Sequence, residues 1–232
     1  MTSADPIKAD ELTIVPANEA SWLDLRAIFG TSDYPGKCYC QRFKTRGWLW
    51  SQGTPEDRQR QLYEQTNCDD PAAGNTTGLV AYAGGEPVGW VAVEPRTEYP
   101  RLMGLPTVWK GRHEDKADDG VWAVTCFTTR KGYRKRGITY ALAAATVGYA
   151  RANGARALEA YAMLTEPGKE ITWGELHVGA RQVFEEAGFT EVNRPSKRRV
   201  VMRVEFPERR PEVRPPAPRS AAPRPGRRAR AR

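Results

Sequence analysis

The sequence has no apolar run long enough to cross a bilayer. Its first eleven residues carry Asp5, Lys8, Asp10 and Glu11 where a secretory signal would be apolar. A membrane-spanning or exported chain is therefore not expected, and the expected compartment is the cytoplasm. Histidine is scarce, with only His113 and His177, and cysteine is limited to Cys38, Cys40, Cys68 and Cys126. One residue separates Cys38 from Cys40, an awkward spacing for a mutual disulfide, so reduced thiols are expected. A metal site of Cys38, Cys40 and Cys68 completed by either histidine lacks any CxxC or HxxxH spacing, and no metal is expected. A GxxxxGK[ST] loop and a GxGxxG turn are both missing, which excludes the common nucleotide-binding fingerprints.

What remains is ordinary globular composition: 232 residues, 40% hydrophobic and 28% charged. That length buries a core without staples and suits one mid-sized domain with appendages. The net charge of +8 is concentrated at one end. From Pro207 to Arg232 nine Arg stand against Glu208 and Glu212, which accounts for +7 and leaves the rest nearly neutral. This Pro/Arg-rich tail (207–232) cannot bury enough apolar surface to fold and is expected to be disordered, whereas 1–206 is expected to form the domain. The tail is either a dispensable extension or an electrostatic tether to nucleic acid or another acidic surface.

Hydrophobic periodicity gives an order of β-α-α-β-β-β-α-β-α-β-β. Leu12 to Val15 reads as a strand, and Asn18 as the cap of a helix from Glu19 to Phe29. Thr54-Pro55-Glu56-Asp57 opens a helix to about Thr66, with Pro at the first position and acids at the positive dipole end. Gly78–Ala83 and Val88–Val93 flank Gly84-Gly85 as a hairpin. Glu94 to Gly120 is a long charged loop, either functional or a solvated insertion. Val121–Thr129 is a strong strand, followed by a helix from about Gly137 to Asn153 that stops at Gly154. A strand over Ala157–Met163, a helix over Glu175–Ala187 and strands over Phe189–Val192 and Arg199–Phe206 complete the order.

The chemistry concentrates where the strand ending at Thr129 turns into a helix. Arg130, Lys131, Arg134, Lys135 and Arg136 fill that turn, and Gly137 opens the helix. A helix start offers unpaired N–H groups and a partial positive charge, and glycine lets a ligand approach the backbone. The cations add to that field, so the segment reads as a pyrophosphate cradle.

Tyr133-Arg134-Lys135-Arg136-Gly137-Ile138-Thr139, followed by Ala141-Leu142, resembles the acyl-CoA signature Arg/Gln-x-x-Gly-x-Gly/Ala of the GCN5-related N-acetyltransferases (GNAT). Thr139 replaces the usual small last residue. Ala180 to Phe189 resembles that family's late helix ending in Gly-Phe, here Gly188-Phe189. The resemblance implies an α+β (α/β) GNAT-like fold across roughly Leu12 to Phe206, a mixed, mostly antiparallel sheet flanked by helices. It also implies acetyl-CoA as co-substrate and an amine acceptor, small molecule or protein, attacking directly in a ternary complex.

By the same resemblance, the pantetheine arm pairs with Val124 to Phe127 and the pyrophosphate lies on Arg134, Lys135, Arg136, Gly137, Ile138, Thr139 and Tyr140. An N–H near Cys126 or Phe127 polarises the thioester carbonyl, with Cys126 as a wall rather than a nucleophile. His177 falls where the family often has an Asn against the arm. Glu94 and, second, Glu159 are the candidate general bases. The family's usual tyrosine acid is replaced by Phe184, which leaves Tyr161 or water to protonate the thiolate. The aromatic residues Tyr34, Tyr39, Phe43, Trp48 and Trp50 form either an acceptor wall or core packing. Rival expectations are a CoA-binding regulator with little turnover, motivated by Phe184, and a nucleic-acid-associated protein acting through the tail. An oligomer is compatible with everything above.

Overall fold

The computed structural model describes residues 5–30, 34–166 and 171–207. The basic tail beyond Pro207 lies outside them. Seven strands form one sheet in the order β1-β2-β3-β4-β5-β7-β6. They are β1 (Leu12–Pro16), β2 (Gly78–Ala83), β3 (Glu86–Pro95), β4 (Val121–Thr129), β5 (Ala157–Ala160), β6 (Thr190–Asn193) and β7 (Val201–Glu205). Every adjacent pair is antiparallel except β4 and β5, which run parallel. Glycines at positive φ, Gly84 (+58°) and Gly85 (+84°), make the β2–β3 turn, a conformation that suits the sheet's twist.

The helices are α1 (Trp22–Phe29), α2 (Pro35–Cys38), α3 (Pro55–Thr66), α4 (Pro100–Met103), α5 (Pro106–Trp109), α6 (Ile138–Ala152), α7 (Trp173–Leu176) and α8 (Arg181–Glu186). Thr54 caps α3 as its sequence implies, with its side chain accepting from the Asp57 amide. For α1 the cap is Ser21, not Asn18, and the helix starts three residues later than expected. Asn18 is buried, and its amide donates to the carbonyls of Asp70, Pro71 and Ala73, a long-range role no local pattern announces.

Each sheet face carries an apolar core. On one, Leu79, Val91, Phe127, Ile138, Leu142 and Phe184 pack together. On the other, Leu25, Ile28, Phe29, Leu62, Trp90 and Cys126 do. A third cluster, with Tyr99, Leu102, Trp109, Tyr161 and Val201, sits under α4 and α5. Gly89 lets α6 settle against β3: a Cβ there would lie 2.6 Å from Ile138 and 3.1 Å from Leu142.

Glu94–Gly120, expected to be a loop, holds α4 and α5 and is clamped to the sheet through Glu159. The helix expected over Glu175–Ala187 is broken into α7 and α8. The linker between them is a turn, with the Gly179 amide donating to the Leu176 carbonyl at 2.8 Å and Gly179 at φ +88°. Ladder pairing in β5 stops at Ala160 rather than Met163, and Met163 pairs in isolation with Ala180 and Arg199.

Candidate active site

β4 and β5 pair from Val121↔Ala157 to Val124↔Ala160 and then separate. The linker 177–180 enters the gap. The Phe127 amide donates to the His177 carbonyl at 2.7 Å, and the Met163 amide donates to the Gly179 carbonyl at 2.9 Å. Gly179 is required there, since a Cβ would stand 2.7 Å from the Phe184 ring and 3.0 Å from Phe127.

Beside this gap lies a cavity of about 640 Å³ at the start of α6. Phe127, Arg134, Lys135, Gly137, Ile138, Thr139, Tyr140 and His177, all candidates from the sequence, line it. The helix has no side-chain cap, and its N-cap Gly137 has φ +85°. Its first amides and dipole therefore face the cavity with Lys135 and Arg134 alongside, which favours an anion. Thr139 lines the cavity without closing it.

Three cofactor candidates fall elsewhere. Val124 is held on both sides, by Val93 of β3 and Ala160 of β5, so no added strand can pair there. Cys126 packs in the opposite core with Trp90 and Leu25. Contact with Cys40, then burial, pushes its thiol well up, which suits a wall residue. Arg136 donates from Nε to the Asp5 carbonyl at 2.9 Å and does not line the cavity. Residues the sequence did not single out join it instead: Thr129, Tyr133, Gly179, Ala180 and Val183. Tyr133 and Ala180 sat inside the quoted motifs and were legible there. Gly179 would have been found by asking why a glycine interrupts a helical pattern.

His177 Nδ1 lies 3.0 Å from the Gly174 carbonyl, and the His177 ring is 6.0 Å from that of Phe43. Burial pushes the imidazole down to about 4 against that carbonyl contact, with Arg199 and Arg42 lowering it further. It is neutral near pH 7.

The two carboxylates differ in their surroundings. Glu94 receives the Lys44 ammonium at 2.5 Å and the Thr77 hydroxyl. Burial pushes its carboxyl up, opposed by Lys44. It lines a polar cavity of about 640 Å³ with Lys44, Glu64, Asn67, Asn75 and Glu98. Its strand position faces Ala123, four residues before Phe127, roughly 13 Å along β4.

Glu159 is fully buried, and both its oxygens are engaged. One takes Arg112 and Arg203 (2.8 Å), and the other takes Arg96 (3.4 Å) and the Tyr161 hydroxyl (2.8 Å). Glu114 bridges the same three arginines. Burial and then Glu159 push the Tyr161 phenol well up. Glu159 and Tyr161 therefore belong to an internal charge network. Phe184 packs against Phe127 (5.8 Å) and Phe189 (5.2 Å).

The aromatic segment is divided. Tyr39 is buried and stacks on Phe29 at 5.4 Å, whereas Tyr34 and Trp48 are exposed. Trp50 lies under Arg58 at 3.9 Å. Phe43 lines a separate small cavity. All four cysteines are free and buried, and burial pushes the Cys38 thiol up to about 12. Among the described residues no group of three or more His, Cys, Asp or Glu is arranged to hold a metal, and no helix is long and apolar enough to cross a membrane.

A strand pair that opens beside an uncapped, cation-flanked helix start is an arrangement suited to a phosphate-bearing ligand. The acetyltransferase (GNAT) family pattern matches residues 43–168, more than half of the chain, and the protein belongs to that family. Solved structures resemble it across most of their length at low identity. An N-acetyltransferase from Staphylococcus aureus Mu50 is 12% identical, with a TM-score of 0.47 and 84% of this chain and 98% of that one covered. A GNAT acetyltransferase from Bacillus anthracis is 13% identical, with a TM-score of 0.48 and 86% and 97% covered. One from Streptococcus pneumoniae is 16% identical, with a TM-score of 0.44 and 84% and 99% covered. No curated protein sequence matches the chain.

Proposed function

We propose that the protein is an acyl-CoA-dependent N-acyltransferase that moves an acetyl group from acetyl-CoA to a primary amine by direct attack in a ternary complex. The observation that carries this is the cavity joining the uncapped start of α6 to the open edge of β4 at Phe127 and Thr129. The cavity fits acyl-CoA in size and charge: Arg134, Lys135 and the α6 amides would hold the pyrophosphate, and Thr129, Gly179 and Ala180 would flank the arm.

The Phe127 amide is the donor suited to the thioester oxygen, and it takes up that role when the His177 carbonyl yields it. Glu94 is the general base, its carboxyl raised above the usual carboxylate value by burial, reaching the amine through water along β4. Glu159 and Tyr161 hold the 96–115 segment on the sheet and take no proton from substrate. The departing thiolate is protonated by water, since Phe184 has no proton to give. The neutral His177 ring shapes the cavity wall.

The test is thiol release from acetyl-CoA against a library of primary amines. Amine-dependent release carries the proposal. Acetyl-CoA binding without turnover on any amine would favour a CoA-binding regulator instead.

A further inference from the structure

The small cavity beside Phe43 is back to back with the large one. His177 and Gly179 line the large cavity, and Val178, between them, lines the small one. The linker is thus the wall between the two. The small cavity measures about 170 Å³, and Phe43, Leu102, Val108, Val178 and Val201 make it largely apolar. An apolar void of about 150 Å³ accommodates one benzene ring, so this one suits an aromatic ring or a branched aliphatic chain and is too small for a sugar chain.

Thr107, Tyr161 and Arg199 are the polar members of its wall, and Arg199 alone among them carries a charge. Its Nη1 reaches the Tyr161 carbonyl at 3.5 Å, and among the described residues no carboxylate forms a salt bridge with it. Burial pushes its guanidinium down, Glu175 opposes and Arg198 adds.

Two more arginines adjoin Phe43 through the backbone. The Arg101 amide donates to the Phe43 carbonyl at 3.1 Å. Arg42 precedes Phe43, and its charge bears on both Arg101 and His177. Among the described residues neither Arg42 nor Arg101 is in a salt bridge, although Arg42 rests on the Trp50 ring at 5.0 Å. Arg199, in the wall of a ring-sized apolar cavity and in no salt bridge among the described residues, offers a site for an apolar ligand that carries an oxyanion.

We propose that the acceptor is an α-amino acid with an aromatic or branched aliphatic side chain, which fills the small cavity while its carboxylate pairs with Arg199. This rests on the N-acyltransferase reading and specifies its acceptor. Once acyl-CoA has displaced the 177–180 wall from the Phe127 amide, the α-nitrogen attacks the thioester carbonyl, so a C–N bond forms and the C–S bond breaks. The surplus amine proton leaves toward Glu94 through water, and coenzyme A departs as a thiolate that water protonates.

The experiment compares phenylalanine with phenethylamine and leucine with isoamylamine, by thiol release and by calorimetry in the presence of coenzyme A. The full chain and its Arg199→Gln and Arg199→Lys variants are used, with acetyl-CoA binding as the check on folding. The site is expected to favour each acid over its decarboxylated partner by about tenfold or more in kcat/KM. Arg199→Gln raises KM for the acids and brings that ratio toward one, and Arg199→Lys restores part of it. Phenethylamine used as well as phenylalanine, or an acid KM indifferent to Arg199→Gln, overturns the acceptor assignment and leaves the transferase standing. Phenylalanine bound but never acetylated supports the site and sinks the transferase reading. Neither binding nor turnover with either acid overturns the assignment.

Discussion

The Phe127 amide and the His177 carbonyl share a 2.7 Å hydrogen bond across the mouth of the gap between β4 and β5. In the proposed reaction that bond occupies the donor for the oxyanion, so acyl-CoA would compete with the linker 177–180 for it. A structure with acetyl-CoA is expected to show the thioester oxygen on the Phe127 amide and the His177 carbonyl displaced. An arm bound with that bond intact contradicts the account.

Gly179→Ala puts a methyl group into the Phe127 and Phe184 rings at a backbone conformation that disfavours side chains. A loss of about 1–3 kcal/mol in unfolding free energy is expected, together with a raised KM for acetyl-CoA. Denaturant melts and steady-state kinetics check both.

Glu94→Gln is expected to lower kcat by roughly a hundredfold while acetyl-CoA binding persists. The base acts when deprotonated, so activity rises with pH through the Glu94 titration. Burial raises that titration above the usual 4.5 against the pull of Lys44. The acid limb of the kcat/KM profile should therefore lie above that value, and Lys44→Met should carry it higher still. A limb that survives Glu94→Gln unchanged would remove Glu94 from the mechanism.

His177 links stability to pH. Its folded value is about 4, against 6.5 for an unperturbed imidazole. Between those values the unfolded chain takes up a proton that the native chain refuses, so the native state loses stability as pH falls from about 6.5 to about 4. Above that window the contribution is complete, and below it the loss levels off. His177→Gln should flatten this part of a melting-temperature profile.

Glu159→Ala leaves Arg96, Arg112 and Arg203 with Glu114 alone to balance them. A cost of about 3–5 kcal/mol is expected, measured by denaturant unfolding. At temperatures where the variant is still folded, acetyl-CoA binding should persist, since the α6 cradle is built from other elements.

What the sequence made legible was local. Thr54, Pro55 and Asp57 write their own helix start, Gly84-Gly85 its own turn, and Arg134 to Gly137 a cation-rich helix entry, each complete within a few residues. What stayed hidden depended on partners far along the chain. Arg96, Arg112 and Arg203 converge on Glu159 only after three strands are laid side by side, so a buried structural carboxylate looked like a strand-end base. Lys44 meets Glu94 across fifty residues. The helical pattern of 175–187 concealed a break because the gap between β4 and β5, which recruits the turn at 177–180, exists only in the assembled sheet. The small cavity is likewise composed of Phe43, Val178 and Arg199, which no spacing connects.

The most direct test is a calorimetric titration of the full chain with acetyl-CoA, repeated with Lys135→Glu. Binding at one site per chain is expected, weakened by about tenfold or more when charge at the α6 entrance is reversed and weakened further as salt is raised. No heat of binding, or an affinity indifferent to Lys135→Glu, would contradict a nucleotide thioester docked at the start of α6.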